Sequence, residues 1–166
     1  MEHMFYACIN LTSIDLSNFN TQNVQYMNGM FGDCESLKSL DLSNFNTQNV
    51  QYMNDMFYLC MQLTSINFSN FNTQKVTTME YMFYNCIKLT SLDLSSFNTQ
   101  KVTTMEYMLN GCSSLKSLDI SNFSIKESTD ISNMFSRVKE CNIKINTNIK
   151  NSIESVLPSS NTITTD

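Results

Sequence analysis

Flexible residues, histidine and positive charge are all scarce in this chain of 166 residues. With only 3 Gly and 1 Pro, long flexible linkers are not expected, and the chain is interpreted as a single domain. The one histidine, His3, lies near a chain end without the nucleophile and orienting group of a catalytic triad, so the chain is predicted not to be an enzyme. The 10 Lys and Arg form no basic cluster, which argues against a nucleic-acid partner.

Long apolar runs are missing as well. No stretch approaches the ~18 apolar residues of a membrane span, so direct membrane insertion is not expected. The first residues, MEHMFYACINL, show neither the basic nor the apolar region of a signal peptide, and no anchor is evident. No pattern in the chain indicates a cofactor.

A repeat of 26 residues organises what is present. Five units begin at Cys8, Cys34, Cys60, Cys86 and Cys112, and are numbered 1 to 5 below. Residues 1–7 match the end of a unit and form a partial repeat, residues 8–137 hold the five repeats, and residues 138–166 are interpreted as a C-terminal cap. Repeats of this length are typical of proteins built from stacked, similar units.

The first half of each unit alternates apolar and polar residues, which predicts a strand. In unit 2, Leu40 and Leu42 are expected to point inward and Asp41 outward, and the polar segment NTQN that follows Phe45 is predicted to turn.

The second half predicts a short helix, because Val50, Met53 and Met56 recur at helical spacing. Capping-box patterns at Thr77 with Glu80, and at Thr103 with Glu106, support this prediction.

Together these patterns predict an α/β fold: a right-handed leucine-rich-repeat solenoid with parallel strands on one face and short helices on the other. LKSLDL in unit 2 fits the LxxLxL core of such repeats. The chain departs from the common consensus in one respect, since Phe replaces its Asn or Cys. These residues are Phe19, Phe45, Phe71, Phe97 and Phe123, and we expect them in the core.

The repeated pattern LxxLDLSxFxTxxVxxMxxMFxxC resembles the BspA-like leucine-rich-repeat surface proteins over roughly residues 1–135. The resemblance implies an extracellular or cell-surface module for interaction or adhesion, without enzymatic activity.

The cysteines of the five units are interpreted as a buried ladder, with Cys141 assigned to the cap. Disulfides between adjacent units and a metal site are the alternatives, although zinc sites use much closer cysteine pairs. The two methionine rows that begin at Met27 and Met30 are interpreted as core rather than as a soft-metal or binding surface.

The outward strand positions are the candidate binding surface for a protein or glycan, called the strand face below. The candidate residues are Ser39, Asp41, Ser43, Ser65, Asn67, Ser91, Asp93, Ser95, Ser117 and Asp119. Two alternatives stay open, a polar row that only keeps the sheet soluble and a weak Ca²⁺ site. Asn67 interrupts the acidic row and should ease repulsion between its carboxylates.

The chain ends differ from the repeats. Ile143 and Ile145 predict a further strand one residue early, and Ile149 and Ile153 a helix that Pro158 stops. NTITTD is interpreted as a last short strand or a frayed tail. Residues 1–7 are expected to leave an uncapped end that abuts further repeats or a partner. The predicted function is a non-catalytic interaction module; the alternative is a structural spacer or truncated remnant.

Overall fold

The computed structural model describes residues 1–165; Asp166, the last residue of the predicted cap, lies outside them. Short parallel strands recur along the chain and helices are few. The strands are β1 (Ser39–Asp41), β2 (Ser65–Asn67), β3 (Ser91–Asp93), β4 (Ser117–Asp119), β5 (Asn142–Ile145) and β6 (Thr162–Thr165). A 3₁₀ turn at Thr147–Ile149 leads into the helix α1 (Lys150–Glu154).

The strands pair in parallel and in sequence order, in two sheets. β1 pairs with β2, and β3, β4, β5 and β6 form the second sheet. Ser39 lies opposite Ser65, one full repeat later, whereas Ser117 lies opposite Asn142, 25 residues later. This change confirms the prediction that the strand of Ile143 arrives one residue early.

The prediction of five strand-forming units was wrong for unit 1. Its segment around Ile14 adopts no strand, because a single backbone hydrogen bond, from the N–H of Lys38 to the C=O of Thr12, joins it to unit 2 there. In units 2 to 5 the alternation is confirmed, with Leu40 buried between exposed Ser39 and Asp41.

The prediction of a short helix in each unit was also wrong. In unit 2, Asp55 and Leu59 adopt left-handed backbone conformations, with φ of 58° and 55°, which interrupt any right-handed helix. The N–H groups instead point to the next unit: those of Asp55, Phe57 and Leu59 donate to carbonyl groups 25 residues later, at 2.8–2.9 Å. A chain of tight turns therefore replaces the helix, while its apolar spacing is kept.

The two capping boxes are absent for the same reason. The N–H of Glu80 bonds to the hydroxyl of Thr78, at 3.4 Å, whereas the hydroxyl of Thr77 donates to the carbonyl of Gln51 in the preceding unit. Glu106 likewise bonds to Thr104 and not to Thr103.

The core lies between the strands and these turns, and it follows the predicted rows. Both methionine rows are fully buried, and Phe45, Phe71, Phe97 and Phe123 are buried in successive units. Phe19 is half-buried, because unit 1 is covered less completely than the others.

The cysteine ladder is shifted by one unit from the prediction. Cys8 is exposed, whereas Cys34, Cys60, Cys86, Cys112 and also Cys141 are buried, and all six are free thiols. The thiols of units 2 to 5 donate to the carbonyl of the phenylalanine 29 residues earlier, as from Cys60 to Phe31 at 3.1 Å. Cys8 has no residue of the chain in that position, which explains its exposure.

The C-terminal segment follows the prediction. Ile149 and Ile153 are buried on the 3₁₀ turn and on α1, which ends before Pro158, and β6 adds the last strand. None of the helices in residues 1–165 is long and apolar enough to cross a membrane.

Candidate functional site

All ten candidate residues of the strand face lie at the surface, either exposed or half-buried. Along the chain they are separated by whole repeats, and the parallel pairing brings them into rows. Ser39 faces Ser65 and Asp41 faces Asn67 across one ladder, and Ser91 and Asp93 face Ser117 and Asp119 across the other.

The acidic row has a structural role in each turn that follows a strand. Asp41 accepts a hydrogen bond from the N–H of Ser43 at 3.0 Å, and this bond lowers the pKa of the carboxyl. Asn67, Asp93 and Asp119 accept the equivalent bond, at 2.9–3.1 Å. One oxygen of each side chain is therefore already engaged by the turn.

Repulsion along this row is relieved by its neighbours. The amide of Asn67 donates to Asp41 at 3.0 Å, and the ammonium of Lys144 lies 3.5 Å from Asp119. Burial raises the pKa of Asp119, but the bonds from Ser121 and the charge of Lys144 outweigh that effect and the pKa falls. Asn67 thus eases the repulsion, as its place in the sequence predicted.

The strand face is interrupted between β2 and β3. Across the described chain, no backbone hydrogen bond joins these two strands, although every other consecutive pair from β1 to β6 is bonded. A cleft of about 340 Å³ opens there, with Ile66, Phe68 and Leu92 at its base. Five candidate residues line its rim: Ser65, Asn67, Ser91, Asp93 and Ser95.

Two departures from the repeat coincide at this junction. Phe68 takes the place of Leu42 and Leu94, and its larger ring packs against Phe83 and Phe97 of the neighbouring units. The second departure is the loss of an amide at Ser96.

At this position the other units carry asparagine, whose amide donates to the backbone of the preceding unit. Asn44 bonds to Leu16 and Ser17, and Asn122 bonds to Ser95. Ser96 cannot reach back in this way, so the junction loses a tie between units as well as its strand pairing.

A second surface, which the sequence analysis missed, lies on the tight turns. Its aromatic residues, called the tyrosine surface below, are His3, Tyr6, Tyr58, Tyr81, Tyr84 and Tyr107. Tyr58 stacks on Tyr84 with ring centroids 5.2 Å apart, and Tyr81 stacks on Tyr107 at 4.9 Å. Tyr81 and Tyr84 meet edge to face at 5.5 Å, which joins the two pairs into one patch.

Two glycines in unit 1 give this surface its depression. Gly29 and Gly32 occupy the slots that hold Tyr81 and Tyr84 two units later, and side chains there would meet His3 and Tyr6 at 2.2 and 2.8 Å. An open depression of about 620 Å³ lies between His3 and Tyr6 on one side and Tyr58 and its neighbours on the other, with Asp55 in its lining.

Carboxylates border the tyrosine surface. Burial raises the pKa of Glu80, and the charges of Glu106, Asp55 and Asp130 raise it further. Burial also raises the pKa of Tyr81, with the charge of Glu106 as the next cause. The electrostatic potential over these rings is therefore negative.

The sequence did contain a signal for this surface. Residues of the second and third positions after each first-row methionine face outward, and in units 2 to 4 they include Tyr81 and Tyr107 at a 26-residue spacing. The signal was missed because these positions were assigned to the solvent face of a helix, where only the placement of His3 was considered.

The buried cysteines show no chemistry of their own. Burial raises the pKa of Cys34 to about 11 and that of Cys112 to about 12, which disfavours the nucleophilic thiolate. Within residues 1–165, no three His, Cys, Asp or Glu side chains are grouped so that they could hold a metal ion.

The repeats identify the family of the chain. The family model described as "Mycoplasma protein of unknown function, DUF285" matches residues 1–67 and 59–162. The chain belongs to this family. The DUF285 match spans all five units with their buried cysteines and phenylalanines, and its description assigns no activity. No curated protein and no solved structure matches the chain.

Proposed function

We propose that this DUF285 protein is a non-catalytic interaction module that binds a macromolecular partner chiefly through its tyrosine surface. The exposed and interlocking rings of Tyr58, Tyr81, Tyr84 and Tyr107 carry the proposal. Tyrosine is enriched among the residues that dominate binding energy at protein interfaces. The rings are also held in place by one another, so little side-chain entropy would be lost on binding.

The proposed architecture is the right-handed leucine-rich-repeat solenoid. The 26-residue pairing of parallel strands supports it, together with hydrogen bonds from each chain of turns to the next unit. The resemblance to BspA-like proteins adds the proposal of a cell-surface location. Met4 and Ile9 in the first turns are about half exposed, and contact of these side chains with further repeats or a partner is part of the same proposal.

The strand face is a second candidate surface for a protein or glycan, and the cleft between β2 and β3 is the observation that favours it. Elsewhere on that face the acidic row is occupied by its own turns. At the cleft, by contrast, the strand edges lack each other as hydrogen-bonding partners. The alternative to both is a structural spacer without a ligand.

Binding of the whole chain to a panel of purified extracellular-matrix proteins and glycans tests the proposal. Tyr58→Ser with Tyr84→Ser removes both third-row rings, and Ser136 in the equivalent slot of unit 5 shows that the turn accepts serine. The control, Asp41→Asn with Asp93→Asn and Asp119→Asn, keeps an oxygen acceptor for each turn on the strand face.

We expect the serine variant to lose binding by about tenfold or more and the asparagine variant to retain it. Loss in the asparagine variant alone would move the site to the strand face. If the wild-type chain bound no member of the panel, the spacer function would replace the proposed one.

A further inference from the structure

The depression on the tyrosine surface has a shape that suits an extended segment with protruding side chains. Gly29 and Gly32 keep its base free of side chains, and the rings of Tyr6 and Tyr58 stand on opposite sides. The depression is open to solvent along the direction of the chain of turns, and its volume of about 620 Å³ accommodates several side chains.

The charge around the depression is of one sign. Asp55 lines it, and Glu80 and Glu106 occupy the positions next to Tyr81 and Tyr107. The ion pairs in the described part of the chain involve none of these three carboxylates. Asp55 accepts one hydrogen bond, from the amide of Asn54 at 2.9 Å, which leaves most of its lone pairs available.

Aromatic faces beside uncompensated carboxylates are complementary to organic cations. A guanidinium or ammonium group over a tyrosine ring is attracted by the ring quadrupole, and arginine can in addition form two parallel bonds to a carboxylate. An acidic ligand would instead face repulsion from three carboxylates. A neutral sugar could stack on the rings but would leave the negative charge uncompensated.

We propose that the tyrosine surface binds a lysine- and arginine-bearing segment of a partner protein. Cationic side chains would enter the depression between Tyr6 and Tyr58 and pair with Asp55, Glu80 and Glu106. This inference rests on the proposed function and adds to it the chemistry of the partner.

Peptide binding by the whole chain, followed by fluorescence anisotropy, tests the inference. The probes are a short labelled peptide rich in Lys and Arg, the same peptide with Gln at each cationic position, a Glu-rich peptide and a neutral oligosaccharide. Asp55→Asn with Glu80→Gln and Glu106→Gln removes the charge and leaves the rings. Asn133 already occupies the slot of Asp55 with a φ of 56°, so the turn tolerates asparagine.

Asp93→Asn on the strand face is the control for a change in net charge alone. We expect the basic peptide to bind, the triple variant to weaken it about tenfold or more, and Asp93→Asn to change it less than about twofold. The affinity should also fall steeply with salt.

Two results would overturn the inference in distinguishable ways. If the neutral peptide or the oligosaccharide binds as tightly as the basic peptide, and Tyr58→Ser with Tyr84→Ser abolishes that binding, the partner chemistry is wrong and the proposed function stands. If no probe binds and the matrix panel gives no tyrosine-dependent binding either, both fail. Thermal unfolding of each variant shows that a loss of binding does not reflect a loss of fold.

Discussion

The hydroxyl of Thr73 accepts a hydrogen bond from the N–H of Asn98, at 2.7 Å, and donates one to the carbonyl of the same residue, at 3.0 Å. Thr73 is buried, and Thr21, Thr47 and Thr99 make the same pair of bonds to the next unit. One side chain per unit thus satisfies both polar groups of a backbone position that is shielded from water.

Thr73→Val should destabilise the protein by about 1–3 kcal/mol, because a valine of similar shape leaves two buried backbone groups without partners. Urea denaturation followed by circular dichroism measures the change. Thr64→Val is the matched control, since the Thr64 hydroxyl is exposed and makes a single bond, to Lys38; we expect a change below about 0.5 kcal/mol. Equal effects of the two substitutions would contradict the role assigned to the buried row.

The cysteines should divide into one reactive and five protected thiols. Cys8 is exposed, whereas the others are buried, and burial raises the pKa of Cys34, Cys112 and Cys141 to about 11, 12 and 11. Titration with a thiol reagent at neutral pH should give one fast equivalent in the native state and six after denaturation. Cys8→Ser should abolish the fast phase, and fewer than six thiols in denaturant would indicate disulfides.

The sequence predicted most of the core, because both strands and turns leave a simple periodic record. Leu40, Met53 and Phe45 are buried as expected. The helices were wrongly predicted because spacings of three and four residues arise in a helix and equally in successive tight turns. Only the left-handed conformations at positions such as Asp55 and Leu59 distinguish the two, and neither residue type announces them as glycine would.

The candidate site was harder to predict, because it depends on contacts between units. Tyr58 and Tyr84 are a whole repeat apart along the chain, and only the pairing of units stacks their rings. Similarly, Phe68 and Ser96 each look like a conservative change within a unit. Their effect becomes visible when both are placed on the same junction.

Stability should fall in acid as the strand-face carboxylates are protonated. The pKa of Asp119 is lower in the folded protein than its ordinary value of 3.8, so its contribution is complete above that value and is lost as the pH falls through the folded pKa. Urea denaturation from neutral pH to below pH 3 measures it. Asp119→Asn should be less stable than wild type at neutral pH, and the difference should shrink in acid; a constant difference would show that ionisation contributes nothing.

The junction between β2 and β3 should close when the repeat consensus is restored. Phe68→Leu removes the bulky ring, and Ser96→Asn supplies the amide that would bond to the backbone of unit 3, as Asn122 bonds to Ser95. We expect the two strands to pair, which should slow amide hydrogen exchange at Ser65–Asn67 and Ser91–Asp93 by roughly tenfold, since each new hydrogen bond contributes about 0.5–1.5 kcal/mol.

The reciprocal change is the control for this junction. Leu94→Phe with Asn122→Ser places the same two residues between β3 and β4, which are paired in the native protein. We expect exchange at Ser117–Asp119 to become faster there, while the pairing of β1 with β2 keeps its protection. If the consensus variant left exchange unchanged, the gap would have another origin than Phe68 and Ser96, and if the reciprocal variant stayed paired, these two residues would not suffice to open a junction.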